Sequence, residues 1–271
     1  MVFSSSSTPI IAIVGAGLSG SLVAAHLLKT AQRPLAIKLV ERRPEVGPGV
    51  AYSTPNYRHL LNVSAGNMSA FPDQPGHLLR WLNYNRSALA GFFPEGFGAS
   101  SFIPRRVFGL YIQSILEEAE ASAPSTLRLE RIEGEVVGAT PQGQGVQVSL
   151  GGGQCFSADR LVLALGNAPD RIPADPPAYR RHAWTWDALE DLDTHAPVLL
   201  VGTGLTMVDM VISLYSRRHQ GPIVALSRRG LTPLPHRSAP PYPTFLTPET
   251  DRKSTRLNSS HSSVSRMPSS A

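Results

Sequence analysis

Apolar residues come in short bursts along this chain, and polar residues recur at two different periods. Ile10-Ile11-Ala12-Ile13-Val14 is a continuous apolar run of strand length. It leads into Gly15-Ala16-Gly17-Leu18-Ser19-Gly20 and then into a helical pattern with Leu22, Val23, His26, Leu27 and Leu28. A second run, Leu35 to Val40, ends on the acid Glu41. The pattern predicts a strand, a glycine turn, a helix and a second strand tipped by a carboxylate. After Glu41, repeated Gly and Pro from Arg42 to Thr54 predict an irregular loop, and His59–Pro72 has no clean period. Helices are predicted at 76–84 and 105–121, the second with Val107, Leu110, Tyr111, Ile115 and Leu116 on one face.

Leu127–Leu129, Glu133–Thr140 and Gly145–Leu150 read as strands of a small antiparallel layer closed by a Gly151-Gly152-Gly153 turn. Asp159–Asn167 returns as a buried strand ending on Gly166, and Pro169–Pro177 reads as a linker. The opening pattern then repeats. Pro197–Val201 is a strand, Gly202-Thr203-Gly204 a turn, Leu205–Arg217 a helix and Ile223–Leu226 a strand. The expected fold class is α/β. A Rossmann-like domain with a parallel sheet and a small antiparallel layer spans 9–170, and the start of a second Rossmann-like unit spans 171–250. Residues 1–8 form a serine-rich leader expected to be disordered.

The spacing carries chemistry. Gly15 permits the tight turn, Gly17 lets backbone approach a pyrophosphate, and Gly20 lets helix and strand pack closely. The helix N-terminus around Ala16, Leu18 and Ser19 presents N–H groups and a positive dipole end to phosphate. Glu41 lies 21 residues past Gly20, where a carboxylate accepts hydrogen bonds from an adenosine ribose. In the second copy Met207 replaces the third glycine, so the helix is expected to start further from its strand. Gly15 to Glu41 and Gly202 to Arg228 both span 26 residues. If the units superpose, Arg228 takes the place of Glu41, with Arg229 beside it. A carboxylate repels a 2′-phosphate, whereas a guanidinium pairs with it. The expectation is FAD at the first site and NADPH, rather than NADH, at the second.

Composition narrows the classes. Cys155 is the single cysteine, which excludes an internal disulfide or a C-x-x-C redox pair and fits a cytoplasmic protein. No apolar run approaches the ~18 residues of a membrane span. Of the formal charge of +5, residues 251–271 carry +3, so the remainder suggests no nucleic-acid partner. No His/Cys/Asp set has metal spacing, no catalytic acid, base or nucleophile stands out, and His59 and Asp73 are loop residues without an evident partner.

Residues Gly15–Gly20, Glu41–Arg43, Gly49–Thr54, His59–Phe71, Phe102–Arg106, Leu163–Asn167, Gly202–Asp209 and Ser227–Gly230 resemble the N-terminal part of two-dinucleotide flavoproteins. That group includes FAD-dependent urate hydroxylase-like proteins and nitrosuccinate-forming N-monooxygenases. The resemblance implies a flavin monooxygenase, reduced by NAD(P)H, that transfers one oxygen atom to a small substrate. Carried over by position, Gly15–Gly20, Glu41 and Arg42 hold the FAD adenosine and pyrophosphate. Val136 lies near the adenine, Gly166 passes close to the cofactor, and Asn62 and Met68 line the flavin ring. Gly202, Gly204, Leu205, Arg228 and Arg229 serve the second nucleotide. Departures are Met207 and Leu165, where many relatives have glycine and threonine. Two other functions stay open: a flavin-dependent reductase or dehydrogenase with another acceptor, and a non-catalytic nucleotide-sensing module. Asp251–His261 resembles a translated sequencing adapter, so 251–271 is expected to be a non-native tail and the chain truncated.

Overall fold

The computed structural model describes residues 8–93, 96–166 and 188–235. β1 (Ile10–Val14), α1 (Leu18–Thr30) and β2 (Leu35–Glu41) form where the apolar runs place them. β1 and β2 run parallel, Ile10 opposite Ala36 and Val14 opposite Val40. A short helix α2 (Gly49–Tyr52) interrupts the segment expected to be irregular. Its four residues make a single turn, too short to leave a periodic signal. α3 (His77–Tyr84) and α4 (Arg105–Ala121) follow as predicted.

β3 (Leu127–Glu133) corrects one expectation. It pairs parallel with β2, Leu127 against Leu35 and Glu133 against Glu41, and so joins the main sheet rather than the antiparallel layer. As an edge strand it has one face open, and its alternation Leu127-Arg128-Leu129-Glu130 mimics a strand of a solvated antiparallel sheet. The antiparallel layer consists of β4 (Val136–Gln142), β5 (Gly145–Leu150) and β6 (Cys155–Ala158), the last unmarked by any apolar run. β7 (Arg160–Leu163) closes the four-stranded order β3-β2-β1-β7. It was expected to be buried, but among the described residues it is an edge strand, and Leu163 is 63% exposed.

The two faces of β1 serve different cores. Ile13 joins Ile37, Leu39, α1 and α4 in the main core, including Val107, Tyr111, Ile112 and Ile115, all essentially inaccessible. Burying each of the aliphatic side chains among them contributes about 1.5–3 kcal/mol. Ala12, on the opposite face, packs with Val148 and Ala158 of the antiparallel layer. Alternation along one strand therefore sandwiches it between helices and a small sheet.

β8 (Val198–Val201), α5 (Leu205–Ser216) and β9 (Ile223–Leu226) repeat the opening motif, with β8 and β9 parallel. The described residues up to Thr232 make one compact unit. The linker expected at Pro169–Pro177 and the tail 251–271 lie outside the described residues, as does the leader up to residue 7. Among the described residues, no helix is long and apolar enough to cross a membrane, and no group of three or more His, Cys, Asp or Glu residues is placed to hold a metal ion.

Candidate functional site

Gly15 turns the chain at the end of β1 with φ +95°, and its N–H donates to the Val40 carbonyl at 2.8 Å. A Cβ here would stand 2.3 Å from the Ala164 carbonyl oxygen, so sterics and φ both demand glycine. Gly20 has the same requirement for a different reason. A Cβ on it would lie 1.8 Å from the Gly15 carbonyl oxygen, which lets α1 sit directly on the turn. Gly17 meets another strand of chain: its Cβ position is 3.3 Å from the Gly49 Cα, and the Gly47 N–H donates to the Ala16 carbonyl at 2.7 Å. The segment leading into α2 thus folds back over the glycine turn.

Glu41 Oε2 accepts the Ala16 N–H at 2.8 Å, and Oε1 accepts the Arg43 N–H at 3.1 Å. The carboxylate stays half-buried, with further lone-pair capacity for two ribose hydroxyls. α1 begins at the N-cap Gly17 with no side-chain cap and no acid in its first turn. Such a helix end fits an anion, and the neighbouring carboxylate fits hydroxyls; the donor set matches a dinucleotide diphosphate with its ribose. Leu18 is half-buried and Ser19 exposed at that end. Arg42 is exposed and paired with Glu135 at 3.6 Å. Gly134 donates its N–H to the Glu41 carbonyl at 2.8 Å, which brings the start of β4 and Val136 to the end of the sheet that holds Glu41. Val136 itself is half-buried against the Ala12, Val148 and Ala158 cluster. Gly166 has φ +67° with open space where a Cβ would stand. Asn62 is exposed, and Met68 packs, partly buried, on the main core.

The second turn reproduces the first. Gly202 has φ +110°, and its N–H donates to the Leu226 carbonyl at 2.7 Å. α5 starts at the N-cap Gly204, again without a side-chain cap or an acid in the first turn, and Leu205 opens it. The strand register corrects the expected superposition. Val14 pairs with Val40, and Val201 pairs with Leu226, so the second connection is one residue shorter. Ser227, not Arg228, therefore occupies the place of Glu41, and Arg228 corresponds to Arg42. Ser227 Oγ accepts the Gly230 N–H at 3.0 Å, while Arg228 and Arg229 are exposed.

A cleft of about 1570 Å³ runs along α5, lined by Arg43, Val50, Thr54, His59 and Arg105 and by the α5 residues Asp209 and Ser213. His59 is not the partnerless loop residue expected. Its Nδ1 lies 2.8 Å from Thr54 Oγ1, and its Nε2 lies 2.9 Å from Ser213 Oγ and 3.0 Å from the Asp209 carbonyl oxygen. That carbonyl can only accept, so the ring presents an Nε2–H to it. Arg105 Nη2 meets Asp209 Oδ2 at 2.8 Å, with both side chains about 15% exposed. Burial pushes the His59 imidazole below its usual range, against the pull of Asp209, and pushes the Asp209 carboxyl upward, against the pull of Arg105. One signal was available in the sequence. Asp209, Ser213 and Ser216 recur at helical spacing and form a polar stripe on an otherwise apolar helix.

A family model described as FAD-NAD(P)-binding matches residues 12–168. An ornithine N-hydroxylase from Kutzneria sp. 744, solved with reduced FAD, NADP+ and L-ornithine, is similar in structure at TM-score 0.58, with 19% identity over 81% of this chain and 53% of that one. A lysine monooxygenase from Nocardia farcinica is similar at 0.50, with 19% identity over 80% of this chain and 58% of that one. A cyclohexanone monooxygenase also reaches 0.50, with 17% identity over 82% and 39%. This chain thus spans roughly half the length of these proteins, and at such identity the likeness establishes the fold. No curated protein matches the sequence. With more than half of its residues inside the family match, the chain belongs to the FAD-NAD(P)-binding family.

Proposed function

We propose that this chain carries the nucleotide-binding portion of an FAD-dependent, NADPH-using oxidoreductase, a flavin monooxygenase that transfers one oxygen atom to a small substrate. The observation that carries this reading is the duplicated turn. Gly15 and Gly202 each take positive φ, each donate to the neighbouring parallel strand, and each open a helix with an uncapped N-terminus. Bound FAD supplies a two-electron carrier that accepts hydride from reduced nicotinamide and passes electrons to oxygen.

The residues of the chain bind and orient. At the first turn Gly15–Gly20 cradles the pyrophosphate and Glu41 accepts from the adenosine ribose; Arg42 and Val136 border the adenosine side. Gly166 keeps the backbone free of a side chain at the end of β7. Asn62 and Met68 stand for the flavin-ring environment. At the second turn Gly202, Gly204 and Leu205 receive the other pyrophosphate. Ser227 puts a hydroxyl, not a carboxylate, opposite the ribose, and Arg228 and Arg229 supply positive charge for a 2′-phosphate. The reading includes a cytoplasmic setting and a small-molecule partner, with no role for nucleic acid.

The direct test is to purify the full-length gene product and follow its flavin. The expected protein is yellow, is reduced anaerobically faster by NADPH than by NADH, and consumes oxygen when reoxidised. A colourless protein that takes up no added FAD would overturn the reading. Flavin that is reduced but reoxidised only by an acceptor other than oxygen would favour the reductase alternative.

A further inference from the structure

The half-buried charge cluster on the cleft wall joins the two nucleotide-binding turns. Arg105 is the first residue of α4, which packs against α1 in the main core, and α1 starts at the first turn. Asp209 lies early in α5, which starts at the second turn. Besides its 2.8 Å ion pair with Asp209, Arg105 donates from Nε to the Leu60 carbonyl at 3.0 Å and from its backbone N–H to the His59 carbonyl at 2.8 Å. His59 adds its bonds to Ser213 and the Asp209 carbonyl, and Asn56 Nδ2 reaches Ser216 Oγ at 3.3 Å. Loop 54–60 is therefore fastened along one face of α5 at positions 209, 213 and 216. A network with its members mutually satisfied in a half-buried setting has one arrangement and resists others.

We propose that Arg105, Asp209 and His59 are positioning residues. They fix the second turn relative to the first and set how fast electrons pass between the two bound nucleotides, not how tightly either nucleotide binds. This rests on the functional reading above. The step concerned moves one hydride, two electrons with a proton, from reduced nicotinamide, which is oxidised, to oxidised flavin, which is reduced. Such a step is steep in geometry, since a misplacement of about 1 Å costs on the order of a hundredfold in rate. None of the three side chains belongs to a glycine turn or to the Glu41 and Ser227 positions, so their loss leaves the binding groups intact.

The test uses the full-length protein and the variants Asp209→Asn, Asp209→Glu and Ser213→Ala. FAD and NADPH affinities are titrated, and flavin reduction is followed anaerobically at saturating NADPH. Asp209→Asn is expected to lower the limiting reduction rate about tenfold or more while both affinities move less than about threefold, with partial recovery in Asp209→Glu. Ser213→Ala removes one hydroxyl and is expected to give a smaller fall, which keeps the proposal testable if Asp209→Asn does not fold. Amide hydrogen exchange should quicken in residues 206–216 and stay unchanged in 18–30. A limiting rate within about twofold of the parent, or a rate loss matched by a loss of flavin affinity, would overturn the proposal. If the parent protein takes up no flavin, the functional reading fails instead. Exchange alone then decides the positioning claim: unchanged exchange in 206–216 overturns it and faster exchange supports it.

Discussion

The Glu41 carboxylate accepts the backbone N–H of Ala16 at 2.8 Å, which ties the tip of β2 to the turn that β1 feeds. One side chain thus shapes the glycine turn and, in the proposed function, also serves a ribose. Glu41→Ala removes both functions, and the N–H of the buried Ala16 is left without an acceptor, at a cost of about 1–3 kcal/mol. FAD affinity is expected to fall at least about tenfold, whereas Glu41→Gln retains an acceptor oxygen and loses less. Fluorescence titration of flavin measures both, and equal affinities for the two variants would contradict the dual role.

Gly20 is fixed by contact, independent of any ligand. An added methyl has to displace the Gly15 carbonyl, only 1.8 Å away. Gly20→Ala is expected to destabilise by about 1–3 kcal/mol, lowering the melting temperature by several degrees. Gly204, where a Cβ would meet nothing within 4 Å, is the control. Gly204→Ala should melt near the parent temperature. A similar loss in both would mean that the close contact with the Gly15 carbonyl does not set the requirement at Gly20, since helix propensity by itself favours alanine there.

The register places Ser227 where the first unit has Glu41. Ser227→Glu sets a carboxylate against a 2′-phosphate and offers it to an unphosphorylated ribose. The Michaelis constant for NADPH is expected to rise about tenfold or more while that for NADH holds or falls. Reversing the charge of Arg228 and Arg229 should weaken NADPH selectively as well. Steady-state kinetics with both nucleotides decide the matter, and a parallel change in the two constants would remove the 2′-phosphate assignment.

His59 ties stability to pH. It faces Asp209 and Arg105, with Thr54 and Ser213 on its nitrogens, and burial holds its folded-state affinity for protons below that of a free imidazole. His77 is shifted in the same direction, chiefly by burial. The unfolded chain then binds protons that the folded chain refuses. Stability should hold above an imidazole value of about 6.5 and decline as pH falls below it, towards the depressed folded values. Asp209 acts oppositely in a lower window. Its raised carboxyl takes up a proton when folded before it does so when unfolded, and this returns part of the loss. Thermal melts between about pH 5 and 7.5 should show a shallower slope for His59→Gln than for the parent. Equal slopes would remove His59 from the account.

The first unit was legible because its signals are local. A continuous apolar run, a glycine triplet and a helical period each depend on neighbours within about a turn or a strand, and β1, α1, β2, α3 and α4 formed where those signals lie. β3 was placed in the wrong sheet because an edge strand of a parallel sheet and a solvated antiparallel strand present the same alternation. The chain's own spacing determined that two glycine turns exist and that an acid follows one and arginines the other. Only the tertiary structure decided that Ser227 rather than Arg228 stands opposite Glu41, because equal spacing along the sequence does not reveal a connection one residue shorter. It also decided that His59 meets Ser213 and Arg105 meets Asp209, across more than a hundred residues, since such partners are chosen by the packing of whole elements and leave no mark on their immediate neighbours.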